Sequence, residues 1–267
     1  MIKKSINSLP LFFFSNFLKH TKIHHFITTR QGGFSNSAYS SLNLGLHVDD
    51  DYDKAIKNRD ILAKNLKIPL NKFTFANQVH EAEVTVITEG LRGNGTFDYE
   101  QSIKATDAMI TNIPDICLII LVADCVPILF FDTKKKVIGA AHAGWRGTVK
   151  SIAQNTVKAF QKHFNSSLKD IIVGIGPSIG PCCYEVGEEV IKEIKNGFPD
   201  KVTKVLNNKG YFNLWEANKL QLTDIGIDEK NIEVAELCTY CHADIFFSRR
   251  HQRAETGRFG GGIMLRN

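Results

Sequence analysis

Residues 117–148 read CLIILVADCVPILFFDTKKKVIGAAHAGWRGT, two apolar runs flanking a single polar turn. No other stretch restricts the fold as strongly. Apolar runs bounded by turn signals read as buried strands. Asp132-Thr133 with three lysines reads as the hairpin connection between them. Each run is interrupted by one residue of metal-ligand type. In the first it is Cys125, next to Asp124; in the second it is His142, ahead of Gly144, Trp145 and Arg146. A hairpin would bring Cys125 and His142 into one neighbourhood, which suggests a metal or thiol site at a rigid sheet edge.

Helical and strand patterns alternate elsewhere, as in α/β or α+β folds. Residues 10–18 and 23–29 are apolar strand candidates, and the second runs into Arg30-Gln31-Gly32-Gly33, a turn that can place an arginine at a pocket rim. Residues 34–47 are rich in Ser and Asn without a period and read as a long loop. Asp50 or Asp51 is expected to cap a helix over 51–67 that Pro69 ends. Residues 73–79 alternate and deliver Gln78 and His80 at a strand end, while 89–106 are turn-rich.

A turn at Gly144–Gly147 whose amides could hold an anion leads into a helix from Val149 to Phe160. A strand over 171–176, a rigid loop over 177–184, a helix over 186–195 and a polar connection over 200–212 come next. A helix over 214–226 and a short strand at 234–237 follow. No repeat or linker divides the chain, so residues 1–267 read as a single domain.

Composition excludes several classes. At 43% hydrophobic and 23% charged, the 267 residues suit a globular protein. A net charge of +5, mostly spread along the chain, points to anionic small ligands rather than nucleic acid. The N-terminal apolar run is broken by Pro10, Ser15 and Asn16 and reads as a buried first strand rather than a secretory signal. No stretch is long enough to cross a bilayer. Six cysteines are too few for a disulfide framework, so a reducing cytoplasm is the expected location.

Cys125, His142 and His80 together form a plausible catalytic zinc set, three protein donors with a fourth position open. A satisfied core cysteine with ordinary loop histidines accounts for the same pattern. So does a Cys125 nucleophile with His142 as base and Asp124 orienting it. Cys238-x-x-Cys241-His242 has no second CxxC to complete a four-ligand site and also resembles a redox pair, and adjacent Cys182-Cys183, not expected to share one metal or to bridge without strain, reads as structural. Arg249, Arg250, Arg253 and Arg258 could form an anion pocket with Arg30 and Arg146. A basic C-terminal surface is the alternative.

NQVH (77–80), ADCVPILF (123–130), AHAGWRGT (141–148), GPSIGPCCYEVG (176–187), and CTY followed by FFSRR and TGR (238–258) together resemble one family. It is the family described as multicopper polyphenol oxidoreductase or laccase, now regarded as purine nucleoside-metabolising enzymes. The resemblance runs from TTRQGG (28–33) to the C-terminal GGIML. It implies an α+β fold, a layered α-β-β-α sandwich, and one zinc on His80, Cys125 and His142. It implies phosphorolysis of adenosine, inosine, guanosine and methylthioadenosine with inorganic phosphate, and deamination of adenosine. Asp124 joins the catalytic set on this reading, with Arg30, Asn43, Gln78, Arg146, Arg249 and Arg258 on substrate or phosphate. A monomer or weak homo-oligomer is expected.

A multicopper oxidase needs many histidines in HxH pairs, and the chain has none. One Cys and two His could still take a single copper in vitro, so polyphenol oxidation is the second reading. A non-enzymatic, zinc-stabilised interaction module is the third.

Overall fold

The structure is a computed structural model that describes residues 1–199, 202–206, 209–253 and 255–267. In chain order the first strands are β1 (Ile2–Ile6), β2 (Leu9–Phe13) and β3 (Ile23–Thr28), followed by helix α1 (Tyr52–Leu66). Next come β4 (Phe73–Phe75), β5 (Val84–Val86), β6 (Ala108–Thr111), β7 (Cys117–Val122), β8 (Val126–Asp132) and β9 (Val137–Ala143). Then follow α2 (Trp145–Val149), α3 (Ile152–Phe164), β10 (Ile171–Ile175), β11 (Glu185–Val186) and α4 (Glu188–Gly197). The remainder is β12 (Thr203–Leu206), β13 (Lys209–Phe212), α5 (Leu214–Asp224), β14 (Ile232–Val234), α6 (Arg249–Gln252) and β15 (Phe259–Leu265).

Two six-stranded sheets carry the fold, ordered β1-β2-β3-β15-β7-β4 and β14-β10-β8-β9-β6-β5. Their layering follows from the period-2 alternation of strand side chains. In β7, Cys117, Ile119 and Leu121 pack outward with Leu62 and Leu66 of α1. The alternate residues Leu118, Ile120 and Val122 pack inward with Leu129, Phe131 and Ile138 of the other sheet. In β8, Val126, Ile128 and Phe130 face Val157 and Phe160 of α3 and Leu222 of α5. Both faces of β7 and β8 are therefore buried, which is why these strands are apolar throughout rather than alternating. Each Leu, Ile or Phe so buried contributes about 1.5–3 kcal/mol. The result is the expected α+β fold with an α-β-β-α layer order.

Close approach needs glycine at one point of the first sheet. A Cβ on Gly262 of β15 would lie 2.3 Å from the Phe26 ring. Buried Arg59 of α1 ties the two long loops together, donating to the carbonyls of Leu44, Gly95 and Thr96. Its guanidinium lies 3.8 Å from the centre of the Phe75 ring. The turn-rich segment 89–106 is thereby packed as two 3-10 turns and their connections.

The hairpin at Asp132 forms as expected, pairing Asp132 with Val137. Several local expectations are corrected. The first apolar run is two strands: the chain leaves one sheet at Val122 and enters the other at Val126. The expected helix from Val149 is two helices, because Ser151 turns the chain through a left-handed conformation (φ 63°). The Gly144–Gly147 segment is the start of α2 rather than a separate turn ahead of the helix. Residues 203–206 and 209–212 form the antiparallel strands β12 and β13, and β13 also pairs with β11 in a small third sheet. The strand expected at 234–237 lies at 232–234, beside β10. Asp51, of the two candidates, caps α1 by accepting from Lys54 N. Among the described residues no helix is long and apolar enough to cross a membrane.

Candidate metal centre and adjoining cavity

The chain passes from one sheet to the other twice near the same end. The segment after β4 carries His80 to β5, and Ala123-Asp124-Cys125 joins β7 to β8. His142 comes from β9, where it pairs with Pro127 next to Cys125. One ligand atom from each of His80, Cys125 and His142 lies within 4.8 Å of the others. The two imidazoles are 4.7 Å apart and nearly perpendicular. Gly144 closes the space behind them, since a Cβ there would lie 3.1 Å from Cys125 Sγ and from His80 Cδ2.

Asp107 organises this group. Its buried carboxylate accepts from the backbone amides of His80 (3.1 Å), Glu81 (2.8 Å) and Val79 (3.3 Å) and lies 2.8 Å from His142 Nδ1. Burial alone would raise its pKa, but His142 and the amides hold it below the usual carboxylate range. An ionised carboxylate only accepts, so Nδ1 of His142 carries the proton and Nε2 is free to bind a metal. Burial pushes the Cys125 thiol up, yet the two imidazoles outweigh it and bring its pKa below the ordinary value. Burial pushes His142 down, and Cys125 and Asp107 together raise it. Three converging donors, one of them a readily ionised sulfur, with a carboxylate behind one imidazole, are a donor set that fits zinc or copper.

A cavity of about 400 Å³ opens beside Cys125. Ile179 and Tyr184 form part of its wall, and Arg249, Arg250 and Arg253 line it. Burial, with Cys125 and Asp124 nearby, pushes the Tyr184 phenol above its ordinary pKa, so it stays a hydrogen-bond donor. Arg250 lies over its ring at 5.4 Å. Asp124 lines the same cavity, but both of its carboxylate oxygens are engaged. One accepts from Thr239 Oγ1 at 2.6 Å and the other from the Arg250 amide at 2.7 Å. Asp124 thus holds the arginine-bearing helix α6 against the cavity.

The other sequence candidates divide. Arg249 lines the cavity. Arg258 approaches it closely enough that Arg249, Cys125 and Asp124 all act on its charge, though burial is the main reason its pKa is lowered. Its Nη1 donates to Thr256 and Gly257 carbonyls. Arg146 is exposed and stacks on Trp145. Arg30 lines a separate cavity, donating to the Ser40 and Ala243 carbonyls and stacking on Phe247. Asn43 is fully buried and joins Gly45, Asp50 and the Arg258 amide. Gln78 bonds both backbone groups of Leu121 in β7, so its amide serves as a strand-edge staple.

Two features escaped the sequence reading. Asp107 carried no local mark; a carboxylate behind a metal-type histidine is a general expectation, but no spacing says which acid supplies it. The cysteine pattern was also misjudged. Cys182 and Cys183 meet Cys238 and Cys241, so the CxxC does find two partners, supplied by a loop distant in sequence.

Similarity to known proteins agrees with this geometry. A family model described as multi-copper polyphenol oxidoreductase laccase matches residues 24–266. A protein of Bacteroides thetaiotaomicron named purine nucleoside phosphorylase is 37% identical over 250 residues, 92% of this chain and 93% of its own. Purine nucleoside phosphorylase YlmD of Geobacillus stearothermophilus is 39% identical over 236 residues, 87% of this chain and 86% of its own. The crystal structure of YlmD from that organism matches with a TM-score of 0.91 and 36% identity, over 95% of this chain and 94% of its own. Adenosine deaminase RL5, from an unknown prokaryotic organism, is 32% identical over 245 residues, 90% of this chain and 93% of its own.

Proposed function

The chain belongs to the multi-copper polyphenol oxidoreductase laccase family, and from that membership we propose that it is a zinc-dependent enzyme of purine nucleoside metabolism. The observation that carries this reading is the convergence of His80, Cys125 and His142 beside a cavity lined by three arginines. Relatives named purine nucleoside phosphorylase and adenosine deaminase support it. In the finer reading the enzyme cleaves adenosine, inosine, guanosine and methylthioadenosine with phosphate, and deaminates adenosine to inosine. All six cysteines are free, which supports a reducing, cytoplasmic setting.

His80, Cys125 and His142 would hold the zinc ion, with Asp107 fixing the tautomer of His142. A zinc ion there supplies Lewis acidity and lowers the pKa of a water molecule. Guanidinium groups bind phosphate through paired N–H donors, and Arg249, Arg250 and Arg253 present such donors to the cavity. In phosphorolysis a phosphate oxygen forms a bond to ribose C1′ as the bond to the purine nitrogen breaks, and the base leaves with a proton. Ile179 and the Tyr184 ring give the purine an apolar wall. In deamination a water oxygen replaces the C6 amino group, which leaves as ammonia.

The test is purified protein of known metal content, given adenosine with and without phosphate. Adenine formed only with phosphate reports phosphorolysis, and inosine reports deamination. Both should vanish in Cys125→Ala and His142→Ala proteins. Full turnover by metal-free protein would sink the zinc reading. Polyphenol oxidation with copper is the second reading, favoured by a His₂Cys donor set that copper also takes. Oxidation that rises with copper content and stops without oxygen would favour it.

A further inference from the structure

Four sulfurs meet in the two loops that carry Ile179 and Thr239. The strands β10 and β14 run parallel, and the loops leaving them stay together through a bridge between Ser178 and Cys238. The first loop brings Cys182 and Cys183, the second Cys238 and Cys241. All four Sγ atoms lie within 4.8 Å of one another. Cys241 Sγ is 3.4 Å from Cys183 Sγ and 3.7 Å from Cys182 Sγ. A disulfide needs about 2.05 Å. Four sulfurs at the corners of a tetrahedron around zinc, each about 2.3 Å from the ion, lie about 3.8 Å apart. The observed separations fit the second arrangement and not the first.

Further detail agrees. The Gly180 amide donates to Cys238 Sγ at 3.2 Å, a bond that favours a thiolate. A Cβ on Gly180 would lie 3.1 Å from Cys238 Cβ and 3.3 Å from Cys182 Sγ, so glycine lets the two loops close. Cys183 and Tyr184 amides both donate to the Gly180 carbonyl, and this tight turn places adjacent cysteines on one side.

We propose that Cys182, Cys183, Cys238 and Cys241 bind a second, structural zinc ion, separate from the His80, Cys125 and His142 centre. An all-sulfur set selects a soft metal, and four protein donors leave no position for water or substrate. The ion ties together the two loops that hold Asp124. Ile179 N donates to the Asp124 carbonyl and Thr239 Oγ1 to its carboxylate. The second ion therefore fixes the loops that position Asp124 at the cavity.

Metal content of full-length protein purified with reductant and without chelator tests this, read by mass spectrometry of the elements. Wild type should carry two zinc ions per chain. Cys125→Ser should keep one, and its X-ray absorption should show sulfur neighbours alone at about 2.3 Å. Cys238→Ser and Cys241→Ser should each lose one ion and keep one. One zinc per chain in wild type, removed by Cys125→Ser, would overturn the proposal. So would a Cys183–Cys241 disulfide in native protein, or nitrogen and oxygen neighbours in the Cys125→Ser spectrum. Should the cysteine variants fail to fold, the wild-type count and the Cys125→Ser spectrum still decide.

Discussion

Replacing Asp107 by asparagine tests the candidate metal centre most sharply. The carboxylate faces four donors: His142 Nδ1 and His80 N on Oδ1, Glu81 N and Val79 N on Oδ2. Asparagine has the same shape but only one acceptor oxygen, so its NH₂ must face one of these pairs. If the NH₂ faces His142, Nδ1 must become an acceptor. The ring proton then moves to Nε2, the nitrogen a metal needs. If the NH₂ faces Glu81 and Val79, two backbone amides lose their partner and the His80 loop loosens. Hydrogen bonds to a charged group contribute about 1.5–3 kcal/mol each. Losing one from the ligand histidine corresponds to a roughly 10–100-fold weaker metal site, the range typical of such supporting carboxylates. The assay is competition for zinc against a chelator of known affinity, with thermal unfolding of the metal-free protein measured alongside. The first orientation lowers metal affinity and costs the apo fold one contact, that of the His80 amide; the second costs it two and lowers affinity through the loosened His80 loop. Unchanged affinity and unchanged unfolding would refute the role given to Asp107.

Arg249→Ala, at the cavity, should raise KM for phosphate by about 10-fold or more, as loss of a charge-assisted contact implies. Arg30→Ala should leave that KM unchanged and lower thermal stability, because Arg30 joins the Ser40 and Ala243 carbonyls elsewhere. The reverse pattern would return Arg30 to the phosphate site. Burial lowers the pKa of His25 from 6.5 to about 4, and its Nε2 accepts from the Phe14 amide. Above pH 6.5 the ring is neutral in folded and unfolded chains alike, and its contribution is complete. Between 6.5 and 4 the unfolded ring takes a proton that the folded ring refuses, so stability falls by on the order of 3 kcal/mol as pH drops. Denaturant unfolding across that window should show a smaller drop in His25→Gln; equal drops would refute the assignment.

Much of the architecture was readable from the chain. Residues 117–122, 126–131 and 137–141 announced strands because each is an unbroken apolar run, as a strand buried on both faces requires. Asp51 and Pro69 bounded α1 because capping and the loss of an amide act within one turn. Ser151, in contrast, breaks the helix expected from Val149 through a left-handed backbone that its residue type does not announce. The paired strands β12 and β13 were hidden by a largely polar segment without a clear period.

By itself the sequence determined many of the strands and helices and a mixed α and β class, because period and burial pattern are local properties of a strand or a helix, while the layer order came from the family resemblance. It also offered His80, Cys125 and His142 as candidate donors, each standing where an apolar pattern breaks, and the family resemblance then favoured that set over a thiol nucleophile or plain core packing. Tertiary structure alone decided what surrounds them. Asp107 became the support of His142 because β6 and β9 pair side by side. Of the arginines named from the sequence, Arg249, Arg250 and Arg253 came to line the cavity while Arg30 became a loop staple, as Asn43 did among the other candidates. Cys182 and Cys183 met Cys238 and Cys241 because β10 and β14 are parallel neighbours. Contacts between segments far apart in the chain depend on which strands pair, and no spacing in a single sequence encodes that pairing.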